Sequence, residues 1–277
     1  MAQAIKPNPL PKTISHYTTL AGLQGIIQTN CLWASNASFL NDKAELQHAL
    51  KASRQAIKKL SSEESFKQWS ATLERVCADL EDGGIPDTYV ACFCRNDDNL
   101  SQWRGYGGTV QGVSVTFDRT KLAARLKPDK AAFFRVRYSK HSTVSKFTSA
   151  LTSELKDIAE LDEIIGTSSD KVRYQDLQRR ISALLPRFKH LGFEDEKEWR
   201  FAIQRKIAPE ALCFRPSSNK LVPYIEIGKS KELLPITGIR IGPGLDQELT
   251  AQSIRVFMSV SGYDVPVKVS DVPFRPF

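Results

Sequence analysis

Four short segments of the chain combine residue types that could bind or transform a polar ligand. The first is Ser15-His16-Tyr17-Thr18, a polar strand end that runs directly into a helix capped by Thr18 and Thr19. The first turn of a helix exposes unpaired amides, so a phosphate or a dinucleotide would be stabilised beside Thr18 and Thr19. His16 is also suited to a purely structural role, bonding a loop carbonyl. The second segment is Phe39-Leu40-Asn41-Asp42. Asn41 or Asp42 can cap the helix that follows, and Asp42 with Glu45 has the spacing of a capping box.

The third segment, Asp98-Asn99-Leu100-Ser101-Gln102-Trp103-Arg104-Gly105-Tyr106-Gly107-Gly108, mixes aromatics, a guanidinium and glycines. Such a mixture can stack a planar ring and clamp a phosphate. Trp103 is assigned to the core. Arg104 is the phosphate candidate, with a surface salt bridge as the competing role. The fourth segment is Glu194-Asp195-Glu196-Lys197-Glu198-Trp199-Arg200. In a strand Glu196, Glu198 and Arg200 share one face and Lys197, Trp199 and Phe201 take the other. Trp199 and Phe201 then face the core, and Glu198 and Arg200 line the opposite surface. That surface is either a solvated charged face or a carboxylate oriented by its guanidinium neighbour.

Other chemistries find less support. Gly228-Lys229-Ser230 lacks the spacing of a phosphate loop. The histidines lie far apart, with His48 and His190 in predicted helices, and no metal cluster emerges. Cys92 and Cys94 would face the same side of a strand, poor geometry for a disulfide or a zinc knuckle.

These segments need elements to position them. The pattern predicts strands at residues 13–18, 32–34, 88–94, 112–117, 132–138, 198–203, 224–227, 236–241 and 265–269. It predicts helices after Thr19, where Leu20, Leu23, Ile26 and Ile27 share a face before Asn30, and over residues 42–60, 63–80 and 247–259. A short helix or turn is expected over 99–106, and a mainly helical stretch over 144–191 broken near Gly166. Strands this short and scattered, with helices grouped between them, imply an α+β fold rather than a doubly wound sheet. The expected organisation is a flexible arm over residues 1–12, containing Pro7, Pro9 and Pro11, then one α+β domain over 13–277 with helical insertions near 42–80 and 141–191.

Composition narrows the class. With 277 residues, 41% hydrophobic and 25% charged, the chain can build a substantial core, and a disordered or fibrous class is excluded. The formal charge of +8 favours contact with polyanions, although no long Lys/Arg tract is present. Five cysteines, an odd number, and an N-terminal stretch without an apolar signal core point to a reducing, cytoplasmic setting. No stretch approaches the ~20 apolar residues of a membrane span.

Taken in order, His16-Tyr17-Thr18-Thr19-Leu20, Leu32-Trp33-Ala34-Ser35, Phe39-Leu40-Asn41-Asp42, Cys92-Phe93-Cys94, Asp98-Asn99-Leu100 with Gln102-Trp103, Gly112-Val113 with Phe117-Asp118, and Glu196-Lys197-Glu198-Trp199-Arg200 resemble the bacterial domain-of-unknown-function family 2971 over about residues 14–245. That family is itself similar to the ADP-ribosyltransferase fold, a split mixed β-sheet core. The resemblance implies that His16 binds NAD as a substrate and that Glu198 is catalytic, with Glu196 a rival. It implies further NAD contacts from Tyr17, Thr18, Trp33, Arg104 and Tyr106. Arg104-Gly105 departs from the family pattern after the tryptophan, and the middle tyrosine of the histidine-tyrosine-glutamate set has no clear counterpart. The implied activity is ADP-ribosylation of a nucleic acid or protein, or NAD hydrolysis, with a toxic or antiviral-defence role by analogy. Two alternatives stand beside it: a non-catalytic nucleotide or nucleic-acid binding module, and a metal-dependent nuclease using the acidic cluster.

Overall fold

The computed structural model describes residues 10–39, 43–81, 88–106, 111–166, 169–204, 206–217 and 220–273. The Leu40-Asn41-Asp42 cap, Gly107-Gly108 and residues 1–9 of the expected arm lie outside them. In chain order the elements are β1 (Thr13–Thr19), α1 (Leu20–Thr29), β2 (Leu32–Asn36), α2 (Lys43–Ser61), α3 (Ser70–Glu81), β3 (Thr88–Cys94), α4 (Leu100–Tyr106), β4 (Gly112–Asp118), α5 (Arg119–Leu126) and β5 (Ala132–Arg135). There follow β6 (Arg137–Ser139), α6 (Thr143–Ile165), α7 (Asp170–Leu184), β7 (Phe188–His190), β8 (Glu198–Gln204), β9 (Cys213–Ser217), β10 (Lys220–Ile227), β11 (Ile236–Ile241), α8 (Gln247–Val260) and β12 (Val267–Val269). The fold is mixed α+β, with parallel and antiparallel strand pairs.

The chain divides into two compact units, one of residues 1–32, 92–130 and 227–277, the other of residues 33–91 and 131–226. In the first unit β4 is the organising strand. It pairs antiparallel with β1 from Thr13↔Asp118 to Thr19↔Gly112. It also pairs antiparallel with β11, across an irregularity between Ile236 and Gly238. β12 runs parallel to β11, and the end of β3 meets β1 at Ser15↔Cys94. Alternate residues Val113, Val115 and Phe117 are fully buried, together with Ile14 and Ile241. α1 starts where Thr19 accepts a hydrogen bond from the Gly22 amide and ends at Asn30 in the left-handed conformation, both as the sequence implies. Leu23, Ile26 and Ile27 are buried, but Leu20 is exposed. A Cβ on Gly22 would lie 1.9 Å from the Thr18 hydroxyl, so any larger residue there would have to displace that side chain.

In the second unit β2 pairs antiparallel with the start of β3, and β9 with β10. β8 pairs with β3 and, antiparallel, with β5. The two helical stretches expected as separate insertions pack on each other. Ile57, Leu60, Trp69, Leu73 and Val76 meet Phe147, Leu151, Leu155, Leu177 and Ile181 in one buried cluster. Residues 64–69 form a 3-10 turn ahead of α3 rather than its first α-helical turns.

Three further expectations change. Residues 132–138 are two strands rather than one: β5 pairs with β8, while β6 leaves to pair in parallel with β7. His190 ends strand β7 instead of lying in a helix, and its Nδ1 accepts from the Gly192 amide to cap the next turn. α5 and β9 form where the sequence pattern predicted no element.

Candidate functional site

The first unit places His16 in the middle of β1, half-buried. Its Nδ1 lies 2.8 Å from the Cys92 carbonyl, and its ring is tilted against Phe93 at 5.6 Å between centroids. A carbonyl oxygen can only accept, so Nδ1 carries a proton and donates it. Tyr17 points to the opposite side, as strand alternation demands. It is buried, donates its hydroxyl to the Asn96 carbonyl at 2.9 Å and packs edge-on against Trp103. Burial, the largest effect, and the charge of nearby Cys94, Asp97 and Asp98 push its hydroxyl well above the usual phenol range. Tyr17 is a member of the core with Trp103, and Thr18 is half-buried at the start of α1.

The segment around Trp103 is a local lock. The Asn99 side chain accepts from the Ser101 amide, and its carbonyl accepts from the Gln102 and Trp103 amides, which starts α4. Asp98 accepts from Trp103 Nε1 at 2.7 Å and from the Asp271 amide at 3.1 Å. Arg240 donates to Asp97 at 2.9 Å. Gly242 lies under the indole: a Cβ there would stand 2.7 Å from Trp103 Cε3. The aromatic-rich motif therefore builds a core corner. Arg104 stands exposed on α4, and the Tyr106 side chain lies outside the described set.

The second unit holds the charged cluster. Lys197 adopts a left-handed backbone, φ 46°, which ends the preceding 3-10 turn and opens β8 at Glu198. The expected sharing of a face by Glu198 and Arg200 holds, but the face is interior. Glu198 is 4% exposed and Arg200 2%. Arg200 donates Nε to Glu198 Oε1 at 2.7 Å and Nη2 to Oε2 at 2.9 Å, a two-pronged grip, and Nη1 to the Pro186 carbonyl at 3.0 Å. Lys189 on β7 donates to Glu198 at 3.3 Å and to the half-buried Glu196 at 2.7 Å. The Glu198 amide donates to the Tyr138 hydroxyl at 2.8 Å. Burial first, and the Glu198 carboxylate second, hold that hydroxyl well above the usual phenol range, so it stays protonated. The cluster balances two carboxylates with two cations, which is what lets charges of this density leave water.

Trp33, in the same unit, stacks on Tyr224 at 4.7 Å with an interplanar angle of 27°. Its indole Nε1 is shielded and meets no hydrogen-bond partner among the described residues.

Lys189 and Tyr138 are the cluster members that sequence reasoning missed. The only available signal was the surplus of acids in Glu194–Glu198, which needs cations from elsewhere. None of the five cysteines is joined to another by a disulfide. Among the described residues no group of three or more His, Cys, Asp or Glu side chains is arranged to hold a metal. Among them, too, no helix is long and apolar enough to cross a membrane.

Fold and cluster together define a mixed α+β protein with a buried, paired charged cluster centred on β8. The model of the family described as "Protein of unknown function (DUF2971)" matches residues 102–201, from α4 to β8, and this match supports the family indicated by the motifs. It includes Gln102, Trp103, Glu198 and Arg200. No curated protein and no solved structure matches the chain.

Proposed function

We propose that the chain is an NAD-consuming ADP-ribosyltransferase, or the corresponding NAD glycohydrolase, with Glu198 as its catalytic carboxylate. The observation that carries this reading is the placement of Glu198: a carboxylate at the start of a strand, out of bulk water and fixed in direction by Arg200 and Lys189. In the reaction, the bond between the ribose anomeric carbon and the nicotinamide nitrogen breaks. Its electron pair leaves with nicotinamide, and positive charge develops on the ribose. A preorganised carboxylate stabilises that charge without reorganising, the main way electrostatics lowers such a barrier. The acceptor's nucleophile, or water, then bonds to the anomeric carbon and gives up a proton. Glu196, the more exposed of the two carboxylates, is suited to take it. His16 and the neighbouring Thr18 are the residues assigned to NAD on β1, together with Arg104 for the phosphates. Trp33 and Tyr106 are the aromatic candidates for the nicotinamide ring, since Tyr17 is committed to the core. Five cysteines outside any disulfide fit a reducing compartment such as a bacterial cytoplasm.

Incubating the purified chain with NAD tests this. Nicotinamide should appear, accompanied by free ADP-ribose for a hydrolase or by acceptor-bound ADP-ribose for a transferase. An unchanged NAD pool, with every acceptor class supplied, would refute it.

One observation favours a second reading, a nucleotide-binding module without turnover. Glu198 is already neutralised by two cations, which leaves less net negative charge to stabilise a developing cation. Saturable NAD binding with no nicotinamide release would select it.

A further inference from the structure

The segment joining α7 to β7 carries an arginine that the reaction above does not use. Arg187 is half-buried, and its guanidinium lies over the Phe134 ring, 5.0 Å from the centroid. Its Nε is shielded from solvent and meets no hydrogen-bond partner among the described residues. The carboxylate whose charge reaches it, Glu154, is engaged by Arg180 at 2.7 Å. Asp176 is likewise taken up by Arg180, at 2.8 Å, and also pairs with Arg179. A second cation stands close. Arg137 is exposed on β6, directly opposite Phe188, the residue after Arg187. Burial pushes the Arg187 guanidinium below its usual range, Glu154 works against that shift, and the like charge of Arg137 adds to it.

A half-buried guanidinium with one orphaned, shielded donor is costly, because that part of its desolvation is not repaid by pairing. Placing a second arginine beside it raises the cost. Such an arrangement is relieved by an anion that bonds the guanidinium and neutralises both charges. The planar fork of arginine matches a phosphoryl group in particular, and stacking on Phe134 holds the fork's plane before a ligand arrives. Two neighbouring arginines suit a compact dianion, whereas a nucleic-acid backbone needs a row of cations along a groove.

We propose that Arg187 and Arg137 form a binding site for the phosphate or pyrophosphate group of a small molecule. The site stands whether or not the chain turns over NAD, because it is defined by binding alone.

Calorimetric titration of the full chain with inorganic pyrophosphate, at matched ionic strength in chloride, tests the proposal. Saturable binding is expected. Arg187→Gln should weaken it at least tenfold, while its melting temperature in phosphate-free buffer stays equal to or above that of the wild type, since an uncompensated charge has been removed. Arg137→Gln, an exposed change with little effect on folding, should weaken binding several-fold and provides the same test if Arg187→Gln does not fold. Absence of pyrophosphate binding by the wild type, or equal affinity in the folded variants, would overturn the site. Binding of a single-stranded oligonucleotide without binding of pyrophosphate would overturn it in favour of a nucleic-acid surface.

Discussion

Arg200 and Glu198 sit two residues apart on one strand and grip each other through hydrogen bonds of 2.7 and 2.9 Å, in an interior where neither is more than 4% exposed. Alternation puts residues i and i+2 on the same face, and the length of the arginine lets its fork turn back onto the carboxylate. Lys189 joins from β7, so the pair is one part of a four-charge cluster. Removing either partner strands the other in a medium that cannot solvate it.

Arg200→Met should therefore destabilise the protein by about 3–5 kcal/mol, the cost typical of breaking a buried pair. Urea unfolding followed by circular dichroism measures this. Loss of the Pro186 carbonyl's donor adds to the effect. A change below ~1 kcal/mol, the range of a surface pair, would mean the interaction is solvated.

The Trp103 lock makes a different prediction. Trp103→Phe keeps an aromatic ring but removes the pyrrole half of the indole with its N–H donor to Asp98, and should cost at least about 1.5–3 kcal/mol as a charged hydrogen bond is lost. Gly242→Ala pushes a methyl into the indole and should cost about 1–3 kcal/mol by overpacking. Because both changes act on one contact region, the double variant should be less destabilised than the sum of the singles. Additive losses in a double-mutant cycle would show the two sites to be independent.

Protonation should also mark the fold. His48 has its pKa held below the ordinary value of 6.5, by burial first and by the neighbouring His190 second. The unfolded chain then binds more protons, so this contribution to stability is complete above about pH 6.5 and falls as the pH drops through the lower, folded value. Tyr17 and Tyr138 act at the other end. Their folded pKa values lie above the ordinary 10.0, so their contribution is complete below about pH 10 and is lost as the pH rises past it. Melting temperatures across pH should decline on both sides. His48→Gln should flatten the acid limb alone, and an unchanged acid limb in that variant would contradict the assignment.

Much of the fold was legible in the sequence, because most elements carry a local signature. Thr19 and Asn30 bracket α1 by capping chemistry, and Val113, Val115 and Phe117 mark β4 by alternation. What escaped was decided by distant partners. Nothing local splits residues 132–138, yet Val136 donates its amide to the Glu198 carbonyl and the chain then leaves β8 for β7. Pro216 weakened the strand signal of β9, where the chain tolerates it opposite Leu221. Phe188–His190 is too short to show a period and was absorbed into the helical stretch before it. The same limit applied to the candidate site. Alternation aligned Glu198 with Arg200, but charge suggested a surface, because the buried counter-charge, Lys189, comes from a segment read as helix. Trp103 was correctly assigned to the core, while the role of Asp98 as its acceptor depends on a fold that brings Ser270 and Asp271 alongside.

The central claim is that Glu198 performs the chemistry. The most direct measurement is the initial rate of nicotinamide release from NAD by the wild type and by Glu198→Gln, at a temperature where circular dichroism shows both folded. Glu196→Gln serves as the neighbouring control. The account predicts release by the wild type, a loss of at least a hundredfold in Glu198→Gln and a smaller loss in Glu196→Gln, about the scale on which a single preorganised electrostatic group acts. Undiminished release by folded Glu198→Gln would contradict it.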